Sequence, residues 1–277
     1  MNELNSLLGS LVAILFAPME GWPPQLSLII WSAATGVIMA WVFRHTSNQA
    51  ALKSAADTIR AQLFAVKLFK DDVRVLFSCQ ARLFRAVGAR LLHSLPPLLV
   101  LIIPLTLLLV QLARWYEFTP LTPGETSILQ LQLSDSGWET HKNIALQVPE
   151  HIVVETSALR DEELKTIYWR IRPKTSAPAA VSWRLAEQLV EKRVSVADNS
   201  VQLVAVSVRR PGSSWFDRLL HPGEPGFSAD SLVRGVELQH PHRSTPVLGV
   251  DLPWWLTFFV VSMLAAVAAK PWLGVHF

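Results

Sequence analysis

The chain has 277 residues, of which 51% are hydrophobic and only 17% charged, whereas an ordinary soluble domain carries about 25% charged residues. So apolar a composition excludes global disorder, and a single cysteine excludes a disulfide framework or a cysteine-rich zinc site. The net charge of +3 averages two unequal segments: residues 44–94 hold nine Lys/Arg against three acids, and residues 114–251 hold fifteen against seventeen. The basic residues flank apolar runs, so a specific nucleic-acid partner is not expected.

Residues 4–16 (LNSLLGSLVAILF) are apolar but too short to span a bilayer. Glu3 is the nearest charge, there is no basic segment of the kind that opens a signal peptide, and Pro18, Pro23 and Pro24 follow. Residues 1–25 therefore read as an interfacial or re-entrant helix on the outer face. The rival is a fourth, shortened span, which would put the N-terminus inside.

Three charge-free runs are long enough to cross, at residues 26–43, 95–113 and 252–269. With 18 or 19 residues each, they cover roughly 27–29 Å at helical rise. Their ends carry amphipathic rings, which favour the headgroup layer: Trp22 and Trp41, then Trp115 and Tyr116, then Trp254, Trp255 and Trp272. The excess of Lys/Arg in residues 44–94 places that segment in the cytoplasm. It follows that the N-terminus and residues 114–251 lie outside and the tail 270–277, with Lys270, inside. The expected location is a bacterial plasma membrane. The absence of an Asn-x-Ser/Thr sequon agrees with that envelope.

Residues 44–94 predict two antiparallel helices. Leu52, Ala56, Ile59, Leu63 and Val66 recur at spacings of four and three, and Val73, Phe77, Phe84, Val87 and Leu91 repeat the pattern. Such stripes predict a coiled-coil seam, with Asp71 or Asp72 capping the second helix. That helix continues into the second span through Pro96 and Pro97. Two readings apply to Arg60, Lys67, Lys70, Arg74, Arg82 and Arg85: contact with anionic lipid, which is preferred, and contact with a ribosome, RNA or a nascent chain. Cys79 reads as a small core residue.

From residue 126 the apolar period changes to two. The alternating sets are Leu129/Leu131/Leu133, Ile144/Leu146/Val148, Ile167/Trp169/Ile171, Val181/Trp183/Leu185 and Val190/Lys192/Val194/Val196. Gln202–Val208 and Val233–Leu238 complete about seven strands, the pattern of an immunoglobulin-like β-sandwich. Asp161-Glu162-Glu163 reads as a short helical turn or loop. Residues 210–230, rich in Pro, Gly and Ser, read as a long loop with one helical turn at Trp215–Leu220, suited to lying on a membrane or a partner. The fold class is thus an α+β membrane protein with three transmembrane helices, a cytoplasmic helical hairpin and an extracytoplasmic β-sandwich.

Chemistry is sparse. His240 and His242 supply only two potential ligands, so no metal is expected, and His221 and Glu224 in the run HPGEPG read as turn residues. Phosphate-binding, dinucleotide and hydrolase motifs are absent, and the spans carry no ionisable side chain for a proton or ion path. The chain therefore reads as a non-enzyme without a cofactor. Polar atoms within the spans come from Ser27, Ser32, Thr35, Thr106, Gln111, Thr257 and Ser262, and Pro104 frees the carbonyl of Val100.

The order of an outer helix, a span, a basic helical pair, a span and a later span resembles the YidC/Oxa-type membrane protein insertases and their three-span relatives. Phe118-Thr119-Pro120-Leu121 is similar to a stretch in one of those relatives. The segment 114–251 and the C-terminal part resemble an uncharacterised family of bacterial membrane proteins. The insertase resemblance implies a groove open to the cytoplasm that receives the polar part of a client, lined by Ser32, Thr35 and Thr106 with Arg44 at its mouth. The hairpin would make first contact with the client. The chain departs from the bacterial pattern in having no arginine inside a span and a β domain between its last two spans. The alternative is a membrane-anchored scaffold whose β domain binds an envelope partner.

Overall fold

A computed structural model describes residues 10, 12, 14, 16, 22–68, 73–141, 143–177, 179–186, 188–199, 201, 203–247 and 249–275. Three of its helices are long and apolar enough to cross a membrane: α1 (Pro24–Thr46), α3 (Val73–Tyr116) and α6 (Trp254–Leu273). Between α1 and α3 runs α2 (Gln49–Leu68). Of the predicted helix at 4–16, Ser10, Val12, Ile14 and Phe16 are helical and the rest lies outside the described residues. Contacts divide the chain into two units, Met1–Leu28 with Leu107–Trp254 and Ile29–Thr106 with Trp255–Phe277.

The break between α1 and α2 is written in polar side chains. The Thr46 and Ser47 hydroxyls donate back to the Val42 and Phe43 carbonyls at 2.9 and 2.6 Å, and the Ser47 N–H donates to the same Phe43 carbonyl at 2.9 Å. Asn48 then caps α2 by accepting the Ala51 N–H at 3.0 Å. The corresponding cap predicted at Asp71 or Asp72 lies outside the described residues.

Helix α3 has 44 residues and passes through Pro96, Pro97 and Pro104 without a break. At about 1.5 Å per residue it is roughly 66 Å long, about twice the hydrocarbon thickness of a bilayer. The charge-free stretch 95–113 fits that thickness, so the half bearing Arg82, Arg85 and Arg90 extends beyond it. Helices α1 and α6 meet at a small residue: a Cβ on Gly36 would stand 2.1 Å from the Ser262 carbonyl oxygen. Backbones approach this closely only where one helix carries no side chain. Leu252, predicted to open the third span, ends a strand instead, and α6 begins after Pro253.

The rest is strand-rich. The larger sheet has the order β3-β5-β1-β9-β8, with β4 also on β5. Its strands are β1 (Ser127–Leu133), β3 (Ile152–Val154), β4 (Leu159–Asp161), β5 (Thr166–Pro173), β8 (Arg209–Arg210) and β9 (Val233–Leu238). A second sheet joins β2 (Leu146–Gln147), β6 (Ala179–Leu185) and β7 (Gln188–Val194). Both are antiparallel. A separate pair, β10 (Thr245–Val247) and β11 (Val250–Leu252), leads to α6.

One apolar core serves both larger sheets. Leu129, Leu131 and Leu133 of β1, Ile167 and Ile171 of β5 and Val181, Trp183 and Leu185 of β6 are wholly buried in it, as period-two alternation requires. The Trp169 and Trp183 rings meet across the sheets at 5.7 Å, tilted by 46°. A short helix, α4 (Asp135–His141), adds Trp138 to the core. It is capped by Ser134, whose hydroxyl accepts the Gly137 N–H at 3.1 Å.

Three expectations change. The segment 203–208 joins no ladder: the Val206 N–H donates to the Arg114 carbonyl at 2.7 Å, and only at its end does the Val208 carbonyl meet a strand, accepting the Leu238 N–H of β9 at 2.8 Å. Trp115 and Tyr116, predicted as headgroup rings, are buried in protein. Trp115 stacks on Phe16 at 4.6 Å, and the Tyr116 hydroxyl donates to Ser27 Oγ at 2.8 Å. Trp41, Trp255 and Trp272 remain exposed. Finally, Phe77, Phe84, Val87 and Leu91, expected in a helical seam, are exposed.

Candidate functional site

The surfaces that α2 and α3 turn toward each other are small and cationic. An open cleft of about 420 Å³ is lined by Ala51, Ser54, Ala55, Thr58 and Gln62 from α2, and by Arg82, Arg85, Ala86, Ala89 and His93 from α3. Alanines on both sides permit the approach, which leaves the bulky stripe of α3 facing outward. The His93 ring is steadied by its Nδ1–H, which donates to the Ala89 carbonyl at 2.6 Å. The predicted contact residues Arg82 and Arg85 therefore lie together in one cleft. Arg60 and Lys67 are exposed on α2, Arg60 with Asp57 at 3.6 Å. Arg74 lies in the first turn of α3, and Lys70 lies outside the described residues.

The predicted groove residues have unequal surroundings. Ser32 and Thr35 are buried on α1, the helix side that also carries Gly36. Thr106 is exposed, its hydroxyl donating back to the Ile102 carbonyl at 2.7 Å. Arg44 is exposed in the last turn of α1, where a cation complements the negative end of the helix dipole.

The strand-rich unit holds a polar cluster that the sequence reading missed. Lys192 is wholly buried, and its Nζ bonds Glu224 and donates to the Ser207 carbonyl at 2.5 Å. Ser207 Oγ donates to Glu224 Oε1 at 2.7 Å, and the Arg193 N–H donates to the other carboxylate oxygen at 3.2 Å. Burial pulls the Lys192 ammonium below its ordinary value, opposed by Glu224. The turn HPGEPG delivers Glu224 because Gly223 leaves room: a Cβ there would stand 2.6 Å from Ser207 Oγ. The inward position of Lys192 was readable from the alternation Val190/Lys192/Val194. Its partner, 32 residues away in a turn, was not.

His240 and His242 do not converge on a metal, and no group of three potential ligands occurs among the described residues. His240 is buried, its Nδ1–H donating to the Leu238 carbonyl at 2.9 Å, and burial lowers its pKa to about 4. His242 instead packs its ring 4.8 Å from Phe118.

Beside the buried cluster lies a second cavity, of about 260 Å³. The end of α3 contributes Val110, Ala113, Arg114, Glu117 and Phe118, and Ser207, Arg209, His221 and Glu237 complete its polar wall. Arg209 is engaged by Asp217 at 3.2 Å and Glu237 at 3.4 Å. Compared with family models, with curated proteins and with solved structures, the chain matches none.

Proposed function

We propose that this is an insertase-like membrane protein: it shelters segments of client proteins as they enter the bilayer, without covalent chemistry or a cofactor. The observation that carries the reading is the exposed apolar stripe Phe77, Phe84, Val87 and Leu91 on α3, with Leu63 and Phe64 also exposed on α2. A stripe of this size needs a partner or a lipid surface, and Arg82 and Arg85 beside it suit the acidic or amphipathic flanks of a client. Ser32, Thr35 and Thr106 would offer polar contacts within the membrane, with Arg44 at the entrance. In the accompanying proposal the arginine-rich helical pair lies in the cytoplasm and a β-sandwich outside. The shared core of two antiparallel sheets supports the sandwich.

The test is a photo-crosslinking amino acid at Phe84 and at Thr106 in cells during synthesis of membrane proteins. Adducts to nascent membrane proteins at both positions are expected. Adducts confined to lipid overturn the reading, and adducts at Phe84 to one mature envelope protein favour the scaffold.

A further inference from the structure

The cavity at the end of α3 holds two charges of opposite sign, Arg114 and Glu117, that form no ion pair among the described residues. Arg114 has no carboxylate within ion-pair distance among the described residues. Its one side-chain hydrogen bond is from Nη1 to Gln111 Oε1, at 3.3 Å, and its buried Nε has no partner. Glu117, three residues on and half-buried, faces the same cavity and likewise lacks a cationic partner within that distance. Burial pushes the Glu117 carboxyl above its ordinary value, against the pull of His242 and His221. Arg114 has only the through-space pull of Glu224, and Glu117 that of His242 and His221, so neither group makes a direct ionic contact that would offset its partial desolvation. A ligand that carries an anion for Arg114 and a cation for Glu117 removes both costs.

The position selects the source of that ligand. Arg114 is the first charge after the apolar stretch 95–113, so the cavity opens where a span ends. Its other wall ends in Leu220, the last residue of α5 (Trp215–Leu220), whose Trp215 and Phe216 are 66% and 54% exposed. Exposed aromatic side chains on a short helix beside a span favour the interfacial layer. Val110, Ala113, Phe118 and Leu220 give the cavity an apolar side suited to the start of an acyl chain.

We infer that this cavity binds the zwitterionic phosphoethanolamine headgroup of a membrane lipid, its phosphate on Arg114 and its ammonium on Glu117. A guanidinium presents paired donors to phosphate oxygens, and His221 stands in the same wall. A phosphatidylglycerol head satisfies Arg114 but leaves Glu117 unpaired. A phosphatidylcholine head brings a cation with no hydrogen to donate.

The test uses the full chain, purified in mild detergent and exposed to an equimolar mixture of phosphatidylethanolamine, phosphatidylglycerol and phosphatidylcholine, with bound lipid read by native mass spectrometry. One phosphatidylethanolamine per chain is expected, retained at least tenfold over the other two. Glu117→Gln, nearly isosteric, should keep a phospholipid but lose the preference over phosphatidylglycerol. Arg114→Gln should lose all three. Equal retention of the three lipids by the unmodified chain overturns the proposal. So does a Glu117→Gln variant with unchanged preference. Glycerophosphoethanolamine competing as well as the lipid would assign the cavity to a soluble ligand and overturn the membrane source.

Discussion

The strand-rich unit and the long helices use the same side chains in opposite directions. Leu129, Leu131, Ile167 and Ile171 are wholly buried, whereas Leu99, Ile103, Met263 and Leu264 are each at least 60% exposed. Water drives the first set inward. The second set would be intolerable in water and is neutral in hydrocarbon, where helices associate through close backbone contact such as that at Gly36 rather than through bulk apolar burial. The comparison teaches that a hydrophobic period reveals which face of an element differs from the rest, and that the solvent decides where that face points.

The polar interior of the strand-rich unit offers the largest effect. Removing one partner of the buried pair, as in Glu224→Leu, leaves Lys192 uncompensated and should cost about 3–5 kcal/mol. The double change Lys192→Met with Glu224→Leu should recover most of it. Unfolding of the full chain in detergent, followed by Trp169 and Trp183 fluorescence, measures both.

Truncations set the two regions directly against each other. Leu131→Ala, in the core, should cost about 2–5 kcal/mol. Leu99→Ala, on the outward face of α3, should cost under about 1 kcal/mol in the same assay, because it leaves no cavity in protein. Equal losses at the two sites would break the contrast.

Acid should weaken the strand-rich unit. The folded pKa of His240 is about 4 against an ordinary 6.5, so below 6.5 the unfolded chain takes up a proton that the folded chain refuses. Stability is full above about pH 6.5 and falls toward pH 4, by up to about 3 kcal/mol. His240→Gln should flatten that part of the pH profile. A smaller gain is expected at Ala186, which turns between β6 and β7 with φ of 50°. Ala186→Gly should stabilise by roughly 0.5–1 kcal/mol, the cost of a left-handed alanine less the added freedom of glycine.

Local alternation was enough to read β1, β5, β6, β7 and β9, because each carries its own inward face. It failed at 203–208, where the Val206 N–H goes to the end of a helix and only the Val208 carbonyl reaches a strand, too little for a ladder. It also said nothing of Glu224, since no local pattern encodes a pairing across 32 residues. The short strands β3 and β4 were missed because three residues are too few to show a period. In the helices, the stripe of Phe77, Phe84, Val87 and Leu91 was legible as a face. Its exposure was not, because the alanines that bring α2 and α3 together are silent in a hydrophobic pattern. Of the residues proposed for the cytoplasmic pair, Arg82 and Arg85 share a cleft, a proximity that only the approach of two helices could reveal.

The central claim is that lipid surrounds α1, α3 and α6 and that the arginine-rich pair of helices faces the cytoplasm. Single cysteines introduced at Arg60, Arg85 and Glu162 in a Cys79→Ser background, probed in intact cells with a membrane-impermeant maleimide, test it most directly. The account predicts labelling at position 162 alone, with positions 60 and 85 reacting only after the membrane is opened. Labelling of 60 and 85 in intact cells, or a chain that stays dissolved without detergent, would contradict it.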